Sequence, residues 1–262
     1  MDFLNQAEAL QSLQEYASKN RQSILISGPD GCGKSYLAKQ YAKMLNISDF
    51  QIVAAKMDTI REALTACYTL TNNVVVCIEN LDLAVSGVSY ALLKFIEEPK
   101  SNVYIVVTCR NIRQIPDTIV SRCVTIDVPP IISSDLTEYA KTKYPNEYKS
   151  IENNTKLWQC VRSIPDMKLL FELSSEQIAY FQEMSGQINA STSVSNIVWK
   201  LQNFPDKKPT PIQIVIRYLM YSNQRWQKYC IECLNTLSIG RLGVHAVVSK
   251  LVMQLKYTEG CL

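Results

Sequence analysis

Short, near-continuous apolar runs recur through the first half of the chain: Ser23-Ile24-Leu25-Ile26-Ser27, Gln51-Ile52-Val53-Ala54-Ala55, Val74-Val75-Val76-Cys77-Ile78, Val103-Tyr104-Ile105-Val106-Val107 and Val124-Thr125-Ile126-Asp127-Val128. Each is rich in β-branched residues and none alternates cleanly with polar ones, so both faces of the sheet they predict must be covered. Helix-like or turn-like stretches separate them, among them helices expected at 7–19 and from Lys34 to Leu45. Strands alternating with helices predict an α/β core with a five-stranded, mostly parallel sheet. Pro129-Pro130 then punctuates the chain, and beyond it the pattern is helical only.

The second half reads as short helices. Ser134-Asp135-Leu136-Thr137-Glu138 has the composition of a helix start, and Pro145 ends that helix. Further helical patterns run from 153 to 185, followed by a polar stretch from 185 to 195. Thr210-Pro211 pairs a capping residue with a first-turn proline and opens a helix with Ile212, Ile216, Leu219 and Met220 on one face. After Gly240 to Gly243 a final amphipathic helix is expected at 244–257, its stripe formed by Val244, Val247, Val248, Leu251, Val252 and Leu255. Three domains follow from this punctuation: a core at 1–130, a small helical domain at 131–187 and an all-α unit at 188–262. Internal repeats and low-complexity tracts are absent.

The turn after the first strand carries the first chemistry. Gly28-Pro29-Asp30-Gly31-Cys32-Gly33-Lys34-Ser35 matches the phosphate-binding pattern G-x4-G-K-[ST], with an apolar strand before it and a helix after it. Glycines let the backbone curl until successive N–H groups and the positive end of the helix share one concavity, which suits a polyphosphate. Lys34 would reach the outer phosphates and the Ser35 hydroxyl would hold Mg2+, so ATP and Mg2+ are the expected ligands.

Composition narrows the setting. A formal net charge of +3 over 262 residues does not describe a nucleic-acid polyelectrolyte, so any DNA contact must come from a local patch or from several copies together. Nine cysteines, several inside the apolar runs, point to a reducing cytosol. The start of the sequence has neither a basic region nor an apolar stretch, and no segment reaches membrane-spanning length, so a soluble intracellular protein without membrane contact is expected. Cys230-Ile231-Glu232-Cys233 lacks a second pair to complete a zinc site, and its spacing fits a core-facing pair on a helix. His245, the only histidine, falls on the final helical stripe.

Three downstream segments add specificity: Val74-Val75-Val76-Cys77-Ile78-Glu79-Asn80-Leu81-Asp82, Ala91-Leu92-Leu93-Lys94-Phe95-Ile96-Glu97-Glu98-Pro99 and Ile119-Val120-Ser121-Arg122-Cys123. With Met57-Asp58-Thr59-Ile60-Arg61-Glu62, they resemble the AAA+ clamp-loader family, which includes the bacterial DNA polymerase III gamma/tau and delta-prime subunits and the replication factor C small subunits. The likeness covers residues 22–130, and Arg241-Leu242-Gly243-Val244-His245-Ala246 is similar to the last helix of the family's collar. The resemblance implies an AAA+ core, a helical lid at 131–187 and an oligomerising collar at 188–262. It implies a subunit of a pentameric assembly that binds ATP and loads a sliding clamp onto primer-template DNA. Glu79 and Asn80 take the Walker B place, and Arg122 matches an arginine finger that reaches the γ-phosphate held by a neighbouring subunit. Lys94 and Lys56 match positions that contact template phosphates, and Thr108 or Cys109 takes the sensor-1 place.

Departures from the family pattern bear on chemistry. Hydrolysing members carry Asp then Glu where this chain has Glu79 then Asn80. Glu79 still offers Mg2+ a carboxylate, whereas Asn80 orients a water without taking its proton, so hydrolysis is expected to be impaired. Asp82 would substitute only along a changed backbone path. The family's zinc ribbon is missing, and neither Met167 nor Lys168 aligns with the usual sensor-2 arginine. Three readings follow: a clamp-loading ATPase subunit, a stator-like subunit that donates Arg122 to a neighbour without hydrolysing ATP itself, and a P-loop protein outside the family, such as a nucleotide kinase or helicase loader. The Arg122 and Ala91 to Pro99 segments have no reason to occur in the third.

Overall fold

A computed structural model describes residues 6–67, 69–84, 86–174, 176–179, 214, 216–218, 220 and 227–238. The chain divides into two compact units, Met1–Ile132 and Ser133–Leu262. In the first, α1 (Ala7–Ser18), β1 (Ser23–Ser27), α2 (Lys34–Met44), β2 (Asp49–Ala54), α3 (Met57–Cys67), β3 (Val74–Glu79), α4 (Ser86–Glu97), β4 (Val103–Cys109), α5 (Asp117–Val120) and β5 (Val124–Asp127) follow in order. The five strands form one sheet in the order β2-β3-β4-β1-β5, and every pairing is parallel.

The apolar runs fold this way because alternate residues serve opposite faces. Leu25, Val74, Val76, Ile78, Val103, Ile105 and Val107 pack on one side with Ile60, Leu64, Leu92 and Ile96 of α3 and α4. Ile24, Ile26, Val75, Cys77, Tyr104, Val106 and Ile126 pack on the other with Leu13, Leu37 and Tyr41 of α1 and α2. Two apolar faces on one strand read as an unbroken run, as expected for a sheet covered on both sides. β2 lies at the sheet edge, and its Ile52 is exposed. The strand begins at Asp49 and ends at Ala54, two residues and one residue ahead of the apolar run that marks it.

All five strands point the same way, so their C-terminal ends gather along one edge of the sheet. Ser27, Glu79 and Cys109 end β1, β3 and β4, and the phosphate loop leaves from that edge. This is where ligands collect in open parallel sheets.

In the second unit, α6 (Ser133–Lys143) stops short of Pro145, which opens α7 (Pro145–Ile151). α8 (Thr155–Gln159), α9 (Ile164–Phe171) and α10 (Gln227–Ser238) follow among the described residues. Cys230 and Cys233 are both fully buried on α10, and burial holds the Cys230 thiol up at about 12. Arg217 Nη1 lies 2.7 Å from Asp166 Oδ2 and 3.2 Å from the Cys160 carbonyl oxygen. The polar stretch at 185–195, the Thr210-Pro211 helix start, His245 and the helix expected at 244–257 lie outside the described residues.

Candidate functional site

The loop after β1 is shaped by two kinds of glycine constraint. At Gly28 the backbone passes so close to β5's exit that an added Cβ would stand 2.5 Å from the Val128 carbonyl oxygen. Gly31 and Gly33 have φ of +77° and +94°, the left-handed region where a side chain is strained. Backbone bonds lock the loop's root to the sheet: Gly28 N–H donates to the Cys109 carbonyl at 3.1 Å, and Val128 N–H donates to the Ser27 carbonyl at 2.7 Å. Gly33 then caps α2, placing Lys34 and Ser35 in its first turn.

Lys34 is buried, and its ammonium donates to the carbonyls of Gly28 at 2.7 Å and Pro29 at 2.9 Å. The Ser35 hydroxyl donates to Glu79 Oε1. A hydroxyl and a carboxylate oxygen brought together beneath the loop are hard ligands, and they fit Mg2+, which prefers oxygen donors. Gln6, ahead of α1 and 3% exposed, donates through Nε2 to the Cys32 carbonyl and lies against Gly33. Burial pushes the Cys32 thiol above its ordinary value, which makes it a packing group of the loop.

Asn80 occupies φ +53°, ψ +54° at the turn after β3. Its N–H donates to Thr108 Oγ1 at 3.0 Å. Asparagine tolerates the left-handed region better than other residues with a Cβ, which is a backbone reason for its presence here. Of the two sensor-1 candidates, Thr108 meets Asn80, whereas Cys109 is buried in the core, where desolvation holds its thiol up at about 11.

Asp82 is not a spare carboxylate. Its side chain is 1% exposed and bound at both oxygens by Arg110, through the backbone N–H to Oδ1 at 3.2 Å and Nε to Oδ2 at 3.0 Å. Arg110 Nη1 also lies 3.7 Å from Asp30 Oδ2 of the loop. Sequence reasoning passed over both Arg110 and Gln6, because an isolated cation after a strand and a polar residue before an amphipathic helix look like surface.

Arg122 lies at the end of α5, and its guanidinium is on the surface. Nε pairs with Glu97 Oε1 at 2.8 Å, and Nη1 donates to the Thr118 carbonyl at 2.8 Å. Its acidic partner belongs to the Ala91 to Pro99 segment. Lys94 is exposed in the last turn of α4, where the helix dipole favours a cation. Lys56 is exposed immediately before α3, where the dipole disfavours one. Lys56 also lines a cavity of about 630 Å³ with Met57, Glu79, Asn80 and Leu83. Met167 is buried on α9 and Lys168 is exposed there. Among the described residues, no group of histidine, cysteine and acidic side chains is arranged to hold a metal, and no helix is long and apolar enough to cross a membrane.

A parallel sheet of this order, with a glycine loop after β1 and a carboxylate at the end of β3, defines the AAA+ class of P-loop folds. Residues 51–131 match the family model of the DNA polymerase III delta subunit. Over 154 residues the chain is 25% identical to the replication factor C small subunit of Haloarcula marismortui, covering 54% of this chain and 47% of that protein. It therefore spans about half the length of that curated relative. The structure is similar to that of a DNA polymerase III gamma subunit-related protein from Thermotoga maritima, with a TM-score of 0.59 and 14% identity over 95% of this chain and 99% of the other. Over the residues they match, the chain is similar to clamp-loader proteins of the AAA+ fold.

Proposed function

We propose that this protein is a clamp-loader subunit that binds ATP with Mg2+, assembles with other subunits in the cytosol and helps place a sliding clamp on primer-template DNA. The observation that carries the nucleotide site is the Ser35–Glu79 contact beneath the loop, which joins two Mg2+ ligands from different elements. Bound Mg2+ would neutralise phosphate charge. Lys34 would move from the Gly28 and Pro29 carbonyls to the outer phosphates, and the α2 N-terminus with the loop amides would hold the rest.

Within that reading, the local chemistry favours a stator-like role. Hydrolysis needs a carboxylate beside the attacking water, Asn80 is an amide, and both oxygens of Asp82 are engaged by Arg110. Arg122, exposed and away from its own loop's contacts, is suited to a neighbour's γ-phosphate, where a guanidinium makes forked bonds to oxygen. In this proposal residues 131–187 form the lid and 188–262 the collar. Lys56 and Lys94 meet template phosphates, Lys56 with the added support of its place at a helix N-terminus.

Calorimetric titration of the pure chain with ATP·Mg2+, paired with steady-state turnover alone and with partner subunits, clamp and primed DNA, tests the proposal. Tight binding with slow turnover of the isolated chain is the expected result. Absence of binding overturns the nucleotide site, and brisk turnover by the isolated chain overturns the stator role.

A further inference from the structure

Gln6 stands where a helix start ordinarily places a short hydroxyl, carboxylate or amide. It is the N-cap of α1, and its carbonyl accepts the Leu10 N–H at 3.0 Å, yet its side chain makes no capping bond to the helix it opens. The amide is used elsewhere. Nε2 donates to the carbonyl of Cys32, 26 residues further on, and the whole residue is buried. A polar side chain withdrawn from water to that extent is stable only when bonded, so this contact fixes its rotamer. α1 is itself anchored by Leu13, which packs in one cluster with Leu37 and Tyr41 of α2. Gln6 therefore reaches the loop from a rigid support.

Cys32, at the other end of the contact, is buried, and its N–H donates to the Pro29 carbonyl at 3.4 Å. Its carbonyl belongs to the peptide it shares with Gly33. Among the described residues every peptide is trans, so the Gly33 N–H points opposite to the carbonyl that Gln6 holds. Gly33 lies at φ +94°, and a glycine by itself does little to fix the orientation of that peptide. A Cβ added at Gly33 would stand 2.9 Å from Gln6 Nε2, so the amide fills the space that the glycine leaves.

From this arrangement we infer that Gln6 is a positioning residue of the nucleotide site: by holding the Cys32 carbonyl outward, it keeps the Gly33 N–H turned into the loop's concavity, preset for a phosphate oxygen. The inference rests on the nucleotide-site reading above. Gln6 touches the loop and not the ligand, so it acts on the binding of the phosphate chain and not on the base. A donor aimed in advance spares the ligand the cost of ordering the peptide, which is how preorganisation adds affinity.

The experiment is calorimetric titration of the full chain with ATP·Mg2+ and with inorganic tripolyphosphate·Mg2+, which carries the phosphates without a nucleoside. Gln6→Met keeps the length of the side chain and removes the donor, and its folding is checked by thermal unfolding. It is expected to weaken both ligands alike, by about 5-fold, the size of one neutral hydrogen bond. Gln6→Glu, ionised at about pH 8, sets an acceptor against the Cys32 carbonyl and is expected to weaken both further. A spectroscopic reading accompanies the titrations: the Gly33 amide resonance, which tripolyphosphate should shift in wild type, is expected to shift less in saturated Gln6→Met. A Met variant that melts earlier but keeps both affinities overturns the inference, because the contact would then serve only the fold. Loss of ATP affinity with tripolyphosphate affinity retained also overturns it, because Gln6 would then read the nucleoside. Should Gln6→Met fail to fold, the same two titrations of Gln6→Glu decide, with unchanged affinities overturning the inference. If wild type binds neither ligand, the nucleotide-site reading itself fails, a result distinct from a wild type that binds both with affinities Gln6 does not control.

Discussion

Asn80 carries a backbone duty beside the chemical one proposed for it. Its left-handed conformation costs an ordinary side chain about 1 kcal/mol or more, and the N–H it presents is taken by Thr108. Asn80→Glu is therefore expected to lower unfolding free energy by about 1 kcal/mol in urea titration, while raising turnover by supplying the missing carboxylate. Asn80→Gly keeps the conformation and should leave stability nearly unchanged. A Glu variant as stable as wild type would show that the turn relaxes freely. The thiols make a second residue-scale prediction. Burial holds Cys77 and Cys160 up at about 12 and Cys109 at about 11, with Glu79 adding to the effect at Cys77. A thiol raised in the folded state stabilises fully below its unfolded value of about 8.5 and loses that contribution as pH rises towards the folded value. Alkylation of these three at pH 8 should proceed only as fast as unfolding, whereas labelling at the rate of a free thiol would show them open to solvent.

α4 and α5 work together at the element scale. α4 is anchored through Leu92 and Ile96 in the core, and its Glu97 reaches Arg122 beyond α5. With both side chains roughly half exposed, that ion pair is worth about 0 to 1 kcal/mol, and in the proposed assembly its part is to aim the guanidinium. Glu97→Ala should leave the melting temperature almost unchanged while reducing a partner subunit's hydrolysis. Arg122→Ala should reduce that hydrolysis by on the order of 10^3-fold without changing nucleotide affinity of the isolated chain. An equal loss of that affinity would make Arg122 a ligand of its own site. In the second unit, Asp166 is buried against Arg217. Arg217→Met leaves that carboxylate unpaired and is expected to cost about 3 to 5 kcal/mol, measured by denaturant unfolding. A loss under about 1 kcal/mol would mean that water reaches Asp166 readily.

Across the whole molecule, a net charge of +3 leaves little general attraction for DNA, so the proposed contact depends on particular lysines in an assembly. Lys56→Ala and Lys94→Ala, measured in the complete complex over a salt series, should each reduce the log–log slope by about 0.7 to 0.9. An unchanged slope would return both to ordinary surface positions. Sedimentation of the chain with partner subunits should show an oligomer, since an arginine that serves a neighbour's phosphate has no such work in a monomer.

The sheet and the glycine loop after β1 were legible because each depends on local pattern, whereas the meeting of Ser35 with Glu79 joins two different elements. An unbroken apolar run states that both strand faces are covered, and the glycine spacing states where the backbone must curl. Residue 80 was legible only in part: the missing carboxylate shows in the letters, but the left-handed turn that suits asparagine does not. Asp82 looked available until the fold brought Arg110 to it from the end of a different strand. Gln6 looked like surface until α1 placed it against the loop. The strand order, the pairing of Arg122 with Glu97 and the burial of Asp166 against Arg217 likewise join residues distant in the chain. Local periodicity sets which face of an element is apolar, whereas such contacts depend on how elements meet, and that is decided by packing in three dimensions.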